Sequence, residues 1–286
     1  MDDDVQFAAE TLPGPGSVTW RWFAATPGVL LAGTGLLLQV AHPVVGAGVS
    51  QHSDFRRRPW TRAWRTHLST LRFVYGMGDG AQAEGRRLLE VHKEIKGVDS
   101  AGRRYHALDP HAYAWVHLTL ARFTVDTAAL FGDPLTESEL DQMWCEFRAI
   151  GLALGLKEQH LAPDWATACA HFDEVVRDIL EANQSTRDVL DALIAPARPS
   201  RYLPSPLWRL LTRPASRVLR LTTVGALPPV LRERMNLNWT ERDQRELTRL
   251  ARAVRAVDRR LPEPLRYPPL AYSLILRARL RHRWAT

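Results

Sequence analysis

The spacing of apolar residues predicts that this chain is mostly helical, and the clearest case is the segment from Gly80 to Lys96. Small or apolar residues and one histidine recur there at alternating intervals of four and three: Ala81, Gly85, Leu88, His92, Ile95. This spacing is typical of the inward face of an amphipathic helix. An imidazole on such a face is typical of an axial haem ligand, and equally of an ordinary hydrogen-bonded core histidine. The helix alone leaves both interpretations open.

Glycine, proline and capping residues divide the rest of the chain into further predicted helices. Asp109 followed by Pro110 predicts the start of a helix that reaches about Phe131. The segment Thr136 to Glu139 resembles a capping box and predicts a helix that reaches about Leu154. Periodicity predicts the remaining helices: 18–25, 61–75, 162–182, 186–194 and two or three more after residue 206.

No series of β-strands and no repeat period is visible in the sequence. The predicted fold class is therefore all-α, with one large helical domain over residues 17–286 that is globin-like in general character and has a pocket between its core helices. Residues 1–16 are acidic and then rich in glycine and proline, which predicts a flexible arm. The proline-rich stretch Pro196 to Pro206 is predicted to be a connector.

The segment from Gly28 to Ser50 raises the question of a membrane span, because it carries no formal charge and is long enough to cross a bilayer. It also contains five glycines together with Gln39, His42 and Pro43. Polar groups are costly in the middle of a membrane, and proline ends or kinks a helix. We therefore expect a core helix that ends near His42 and Pro43.

Composition narrows the class of protein. Of the 286 residues, 45% are hydrophobic and 24% charged, which is ordinary for a globular protein. The net charge of +7 comes mostly from scattered arginines with no run of five or six like charges, so nucleic-acid binding is not expected. Cys145 and Cys169 have no disulfide-framework or metal-type spacing, and no secretory leader is visible. These features predict a reduced, cytoplasmic protein.

Two groups of polar residues are candidates for chemistry. Arg62, Arg65 and Thr66 share one helix face, which suits either binding of an oxygen-bearing ligand or a solvated basic surface. Gln39 and His42 lie in the apolar segment, where they either satisfy each other or line a pocket. The sequence contains no nucleophile elbow, phosphate-binding loop or zinc-protease motif, so hydrolase and nucleotide chemistry have no support.

Short motifs between residues 20 and 270 follow one another in a specific order: Gly33, Gln39-x-x-His42-Pro43, His52-Ser53-x-Phe55, Arg62-x-x-x-Thr66, Tyr75-Gly76, Val91-His92-x-x-x-x-Gly97, Tyr105-x-Ala107-Leu108-Asp109-Pro110, Trp115-Val116-His117 and Leu227-Pro228-Pro229. Each motif is weak alone, but their order and spacing resemble those of the DUF2236 family. This family includes the oxygenase MpaB and the rubber oxygenases (latex clearing proteins).

The resemblance implies a mostly helical protein that binds haem b (iron protoporphyrin IX). The proximal iron ligand of the rubber oxygenases falls on His92, and their distal Arg-x-x-Lys-Thr sequence reads Arg62-Ala63-Trp64-Arg65-Thr66. The lysine position is therefore Arg65, and a protonated arginine cannot readily ligate iron. The catalytic glutamate of the rubber enzymes has no counterpart that we can identify. Both departures argue against rubber-like cleavage but not against haem binding.

Together, the residues and the resemblance predict a haem-dependent oxygenase that acts with dioxygen on a hydrophobic, lipid- or isoprenoid-like small molecule. His92 is the expected metal ligand, and Arg62, Arg65 and Thr66 are the expected catalytic groups. His92, Arg62, Gln39 and His42 are expected to contact the cofactor. The alternatives are a non-catalytic helical module that binds a lipid or a partner, and a peripheral membrane protein that uses its basic C-terminal helices.

Overall fold

The computed structural model describes residues 12–53, 59–76, 80–194 and 204–285. These residues form thirteen α-helices and one hairpin of two short strands. The helices are α1 (Val18–Trp22), α2 (Ala32–Val40), α3 (Pro43–His52), α4 (Pro59–Tyr75), α5 (Gly80–Lys93), α6 (Pro110–Phe131), α7 (Glu137–Ala153), α8 (Trp165–Asp178), α9 (Gln184–Ile194), α10 (Ser205–Gly225), α11 (Pro229–Arg234), α12 (Glu241–Asp258) and α13 (Pro269–Ala285). The strands are β1 (Lys96–Val98) and β2 (Arg104–His106). The predicted all-α fold class is confirmed.

Helix α6 lies at the centre of the fold and packs against α1, α2, α7, α8 and α12. Its start is the predicted one, because the side chain of Asp109 accepts a hydrogen bond from the backbone N–H of Ala112 at 2.9 Å, with Pro110 in the first turn. The neighbouring α7 opens with the predicted capping box between Thr136 and Glu139. The core between these helices is dominated by large apolar side chains: Leu37, Trp115, Met143, Phe147, Ile150 and Phe172.

The uncharged segment forms two helices that meet at His42. Helix α2 ends at Val40, and His42 precedes the first turn of α3, which begins at Pro43. The expected helix end near His42 and Pro43 is confirmed. Helix α2 packs against α6, α9 and α10, and Leu37 and Ala41 are completely buried. In the part of the chain that the structure describes, no single helix has the length and apolarity of a bilayer span. The segments Thr26–Val40 and Pro43–His52 reach this length and apolarity only when they are counted together, and the chain bends by 102° between them.

Helices α4 and α5 form an antiparallel pair. Ser69 of α4 bonds to Glu84 of α5, and the charge of Arg62, two turns earlier in α4, acts on the later residue His92. Helix α5 ends at Lys93, before the expected Lys96, because the chain turns into the hairpin.

The hairpin between α5 and α6 was not expected from the sequence, since strands of three residues are too short to show an alternating pattern. Gly97 of β1 pairs with Tyr105 of β2 in an antiparallel register. Gly102 adopts φ +79° in the turn, a conformation that favours glycine.

Some predicted features lie outside the described residues. These are residues 1–11 of the acidic arm, Phe55 of the motif series, residues 77–79 of the glycine-rich break and residues 195–203 of the connector. Leu12, the first described residue, packs against the main core. The boundary of the single domain at residue 17 stays a prediction.

Candidate functional site

The face of α5 that the sequence singled out does point inward. Ala81 and Gly85 are buried, and Leu88 and His92 are half-buried, as is Ile95, which follows the end of α5. At Gly85 the helix approaches the end of α7 so closely that a Cβ atom would clash with the carbonyl oxygen of Ala153. Because the clashing atom belongs to the backbone of another helix, only glycine permits this approach. The contact orients α5 so that His92 faces the interior.

His92 lies against α6 rather than in solvent. Its ring stands edge-on to the ring of Tyr113, with 5.8 Å between the ring centroids and 82° between the planes. The Nδ1 atom of His92 is buried and has no hydrogen-bond partner among the residues that the structure describes. Tyr113 is itself largely buried, which raises its pKa to about 12 and keeps its phenol neutral.

The imidazole of His92 is held in its neutral form. Burial lowers its pKa most, the backbone of Leu88 partly opposes this, and the charges of Arg62 and Arg87 lower it further. A histidine must be neutral to ligate a metal, because the protonated ring has no free lone pair. His92 therefore has the protonation state that a metal ligand needs.

All three predicted residues of α4 lie at the same end of the helix pair as His92. Arg62 is half-buried and donates from Nη1 to Oγ1 of Thr66 at 2.8 Å, and the Thr66 hydroxyl donates to the carbonyl of Arg62 at 3.1 Å. The charge of Arg62 acts on the imidazole of His92. Arg65 is exposed on the flank of α4. The structure thus places the charge of Arg62 close to His92, whereas Arg65 and Thr66 are both exposed on α4.

Gln39 lies on a different side of the core. Its side-chain amide donates from Nε2 to Oγ1 of Thr119 at 3.0 Å, which joins α2 to α6. This satisfies one of the polar groups that the apolar segment carries. None of its contacts within the described residues reaches Arg62, Thr66 or His92.

His42 is buried at the junction of α2 and α3. Burial lowers its pKa to about 4, although the charges of Asp109 and Glu181 oppose the shift. Its Nδ1 atom has no hydrogen-bond partner. The described contacts of His42 do not reach His92 either, so a shared role for the two histidines stays a prediction.

A buried carboxylate between α4 and α5 escaped the sequence analysis. Glu84 is 4% exposed and accepts hydrogen bonds from Ser69 Oγ at 2.6 Å and from Arg87 Nε at 3.0 Å to each oxygen. Burial opposes its ionisation, but these bonds and the charges of Arg87 and Arg72 hold its pKa below the ordinary value. Glu84 is therefore ionised, and it holds Arg87 in the α5 turn that precedes His92. The spacing of Glu84 and Arg87 by three residues was the only signal in the sequence.

Two further described histidines share features of His92, because His42 and His117 are buried and each has an Nδ1 atom without a hydrogen-bond partner among the described residues. The described residues contain no cluster of three or more histidine, cysteine, aspartate or glutamate side chains that could hold a metal ion. A cavity with room for about one water molecule lies between α2 and α6. It is lined mostly by apolar side chains, and by neither His92 nor Arg62: Leu31, Thr34, Gly35, Leu38, Thr119, Phe123, Asp126 and Ala226.

Comparison with known proteins gives a family match over most of the chain. Residues 20–256 match the family described as ER-bound oxygenase mpaB/B′/Rubber oxygenase, catalytic domain. Uncharacterized proteins of Mycobacterium tuberculosis and Mycobacterium bovis are each 29% identical to this chain over 263 residues, which cover 89% of this chain and 98% of theirs. The comparison with solved structures found no match.

Proposed function

The chain belongs to the family of mpaB and rubber oxygenase catalytic domains, and on this premise we propose that it is a haem b-dependent oxygenase acting on a hydrophobic small molecule. Membership of this family supports a general oxygenase role. The haem, its ligand and the class of substrate are the proposal, and they rest on the end of the α4–α5 pair at which Arg62 and His92 lie.

The observation that carries the proposal is the state of His92. It is half-buried and packed against the ring of Tyr113, its pKa is lowered by burial, and its Nδ1 atom has no hydrogen-bond partner that meets the geometric limits among the described residues. A single histidine supplies one ligand, which suits an iron already held by the four nitrogens of a porphyrin. The chemistry of His92 suits haem, and His92 would be the residue that holds the iron. When bound, haem supplies a redox-active iron at which dioxygen chemistry takes place.

The residues around His92 have distinct proposed roles. Arg62 and Arg87 carry positive charge close to the imidazole, which suits haem propionates or an oxygen-bearing ligand. The bond from Arg62 to Thr66 positions that guanidinium along α4. Leu88 and Ile95 give the inward face an apolar surface on either side of His92, which excludes water and suits a hydrophobic substrate. Arg65 lies on the exposed flank, where we propose that it contacts the cofactor edge or the substrate rather than the iron.

The test is a visible spectrum of protein expressed with added haem precursor, recorded oxidised and then reduced with dithionite. We expect a Soret band with resolved α and β bands after reduction. His92→Gly should alter the spectrum, and added imidazole should restore it by occupying the vacated position. The matched control is His171→Gly, which changes an exposed histidine on α8 and should leave the spectrum unchanged.

The two parts of the proposal fail separately. A spectrum that survives His92→Gly unchanged would refute the ligand assignment but leave haem binding intact. A folded wild-type protein that stays colourless after haem supplementation would refute the oxygenase mechanism. Mass spectrometry of co-purified lipids would then test the rival lipid-binding role.

A further inference from the structure

The first half of helix α10 presents leucines to solvent. Leu207, Leu210 and Leu211 are exposed by 44%, 61% and 61%. Their spacing of three and four residues places them on one side of the helix, and Pro214, one turn further on, continues the same side and is also exposed. We call these four residues the leucine face.

The opposite side of the same half-helix is turned towards the protein. Trp208, Thr212 and Ser216 are half-buried, although two of them are hydroxyl residues. The usual arrangement of a surface helix is therefore reversed, with the apolar side outward. The second half of α10 follows the usual arrangement, because Leu221 and Val224 are buried. An exposed apolar stripe of this kind marks a binding surface.

The helix that bears the leucine face carries positive charge. Residues Ser205–Gly225 of α10 contain four arginines and no acidic residue. Arg217 and Arg220 are neutralised by Asp243 and Glu246 of α12. Arg213 borders the leucine face, is exposed, and forms no ion pair within the described part of the chain. A second copy of the chain would set like charge against like charge here, whereas an anionic surface would be attracted.

We propose that the leucine face of α10 docks on the surface of an anionic lipid bilayer. The leucines enter the boundary between headgroups and acyl chains, and Arg213 remains at the level of the lipid phosphates. The helix lies in the plane of the interface, since its other side is attached to the protein. This proposal goes beyond the oxygenase function and does not depend on haem, so its test is independent of the test for haem binding.

The experiment is flotation of the full chain with vesicles of phosphatidylcholine, alone or with about one-third phosphatidylglycerol. We expect flotation with the anionic vesicles only, weakened by salt because the attraction is screened. The double variant Leu210→Glu and Leu211→Glu should bind at least about tenfold more weakly, because two apolar anchors become charged. Val257→Glu is the matched control, since it changes a side chain on α12 that is 58% exposed.

The contribution of charge has its own pair of variants. Arg213→Glu should weaken binding by about tenfold or more. The control is Arg252→Glu, which should leave binding unchanged, because Arg252 is an exposed residue of α12 that forms no ion pair within the described residues. Equal binding to neutral and anionic vesicles, no flotation at all, or equal loss in the controls would overturn the proposal. A dimer that dissociates only in the double leucine variant would identify a second copy as the occupant instead. Circular dichroism checks that each variant is folded.

Discussion

Glu84 offers the sharpest test of the α4–α5 pair that carries the candidate site. The substitution Glu84→Gln keeps the shape of the side chain but removes its charge. The carboxylate is almost completely buried and accepts bonds from the Ser69 hydroxyl and the Arg87 guanidinium. Glutamine can accept at only one atom, and its amide group would point hydrogens at the same donors.

The expected loss of stability follows from this geometry. Breaking a fully buried ion pair costs about 3–5 kcal/mol, but the Arg87 side chain is 48% exposed, so water partly replaces the lost carboxylate. The loss should therefore be close to that of one or two charge-assisted hydrogen bonds, about 1.5–3 kcal/mol at neutral pH.

The pH dependence gives a second, independent signature. The pKa of Glu84 is lowered in the folded protein, so its charge stabilises the fold above its ordinary pKa of 4.5, and this stabilisation is lost as the pH falls through the lowered value. The difference between wild type and Glu84→Gln should be largest near neutral pH and shrink below about pH 4.5.

The assay is urea unfolding followed by circular dichroism, from neutral pH down to about pH 4. The control is Glu90→Gln on the same helix, which removes an exposed carboxylate paired with Lys93 and should cost about 0.5 kcal/mol or less. A difference that stays constant with pH, or a control that loses as much as Glu84→Gln, would show that the buried charge does not hold the two helices together.

Two further predictions concern the same helices. Gly85→Ala should destabilise the fold by about 1–3 kcal/mol, because the new methyl meets the backbone at the end of α7. Gly80→Ala should not destabilise the fold, because a Cβ atom at that position would meet its neighbours at ordinary contact distance. Thermal unfolding measures the stability of both variants. Arg62→Ala should raise the pKa of His92, since a nearby positive charge is removed, while Arg65→Ala should change it little. Titration of the imidazole by NMR measures both, and equal shifts would contradict the placement of Arg62.

Local features of the fold were accessible from the sequence because they depend on neighbouring residues. The cap at Asp109, the capping box at Thr136, the break near Pro43 and the inward face bearing His92 each follow from backbone geometry within one or two turns. The all-α class followed from the sum of such signals. The hairpin after α5 was missed because its strands are too short to carry a period.

Periodicity says which side of a helix is inward but not what that side meets. Only the tertiary structure showed that the charge of Arg62 on α4 acts on His92 of α5, because their proximity depends on how the two helices are packed. The same holds for Glu84, whose charge is tolerated only where Ser69 and Arg87 converge on it. Only the tertiary structure showed the reversed orientation of α10 as well, since no local rule predicts that a helix packs on its own protein through its more polar side. The chain itself thus determined most helix boundaries and placed His92 on the inward face of its helix. Long-range packing decided which groups surround His92 and which apolar face remains open.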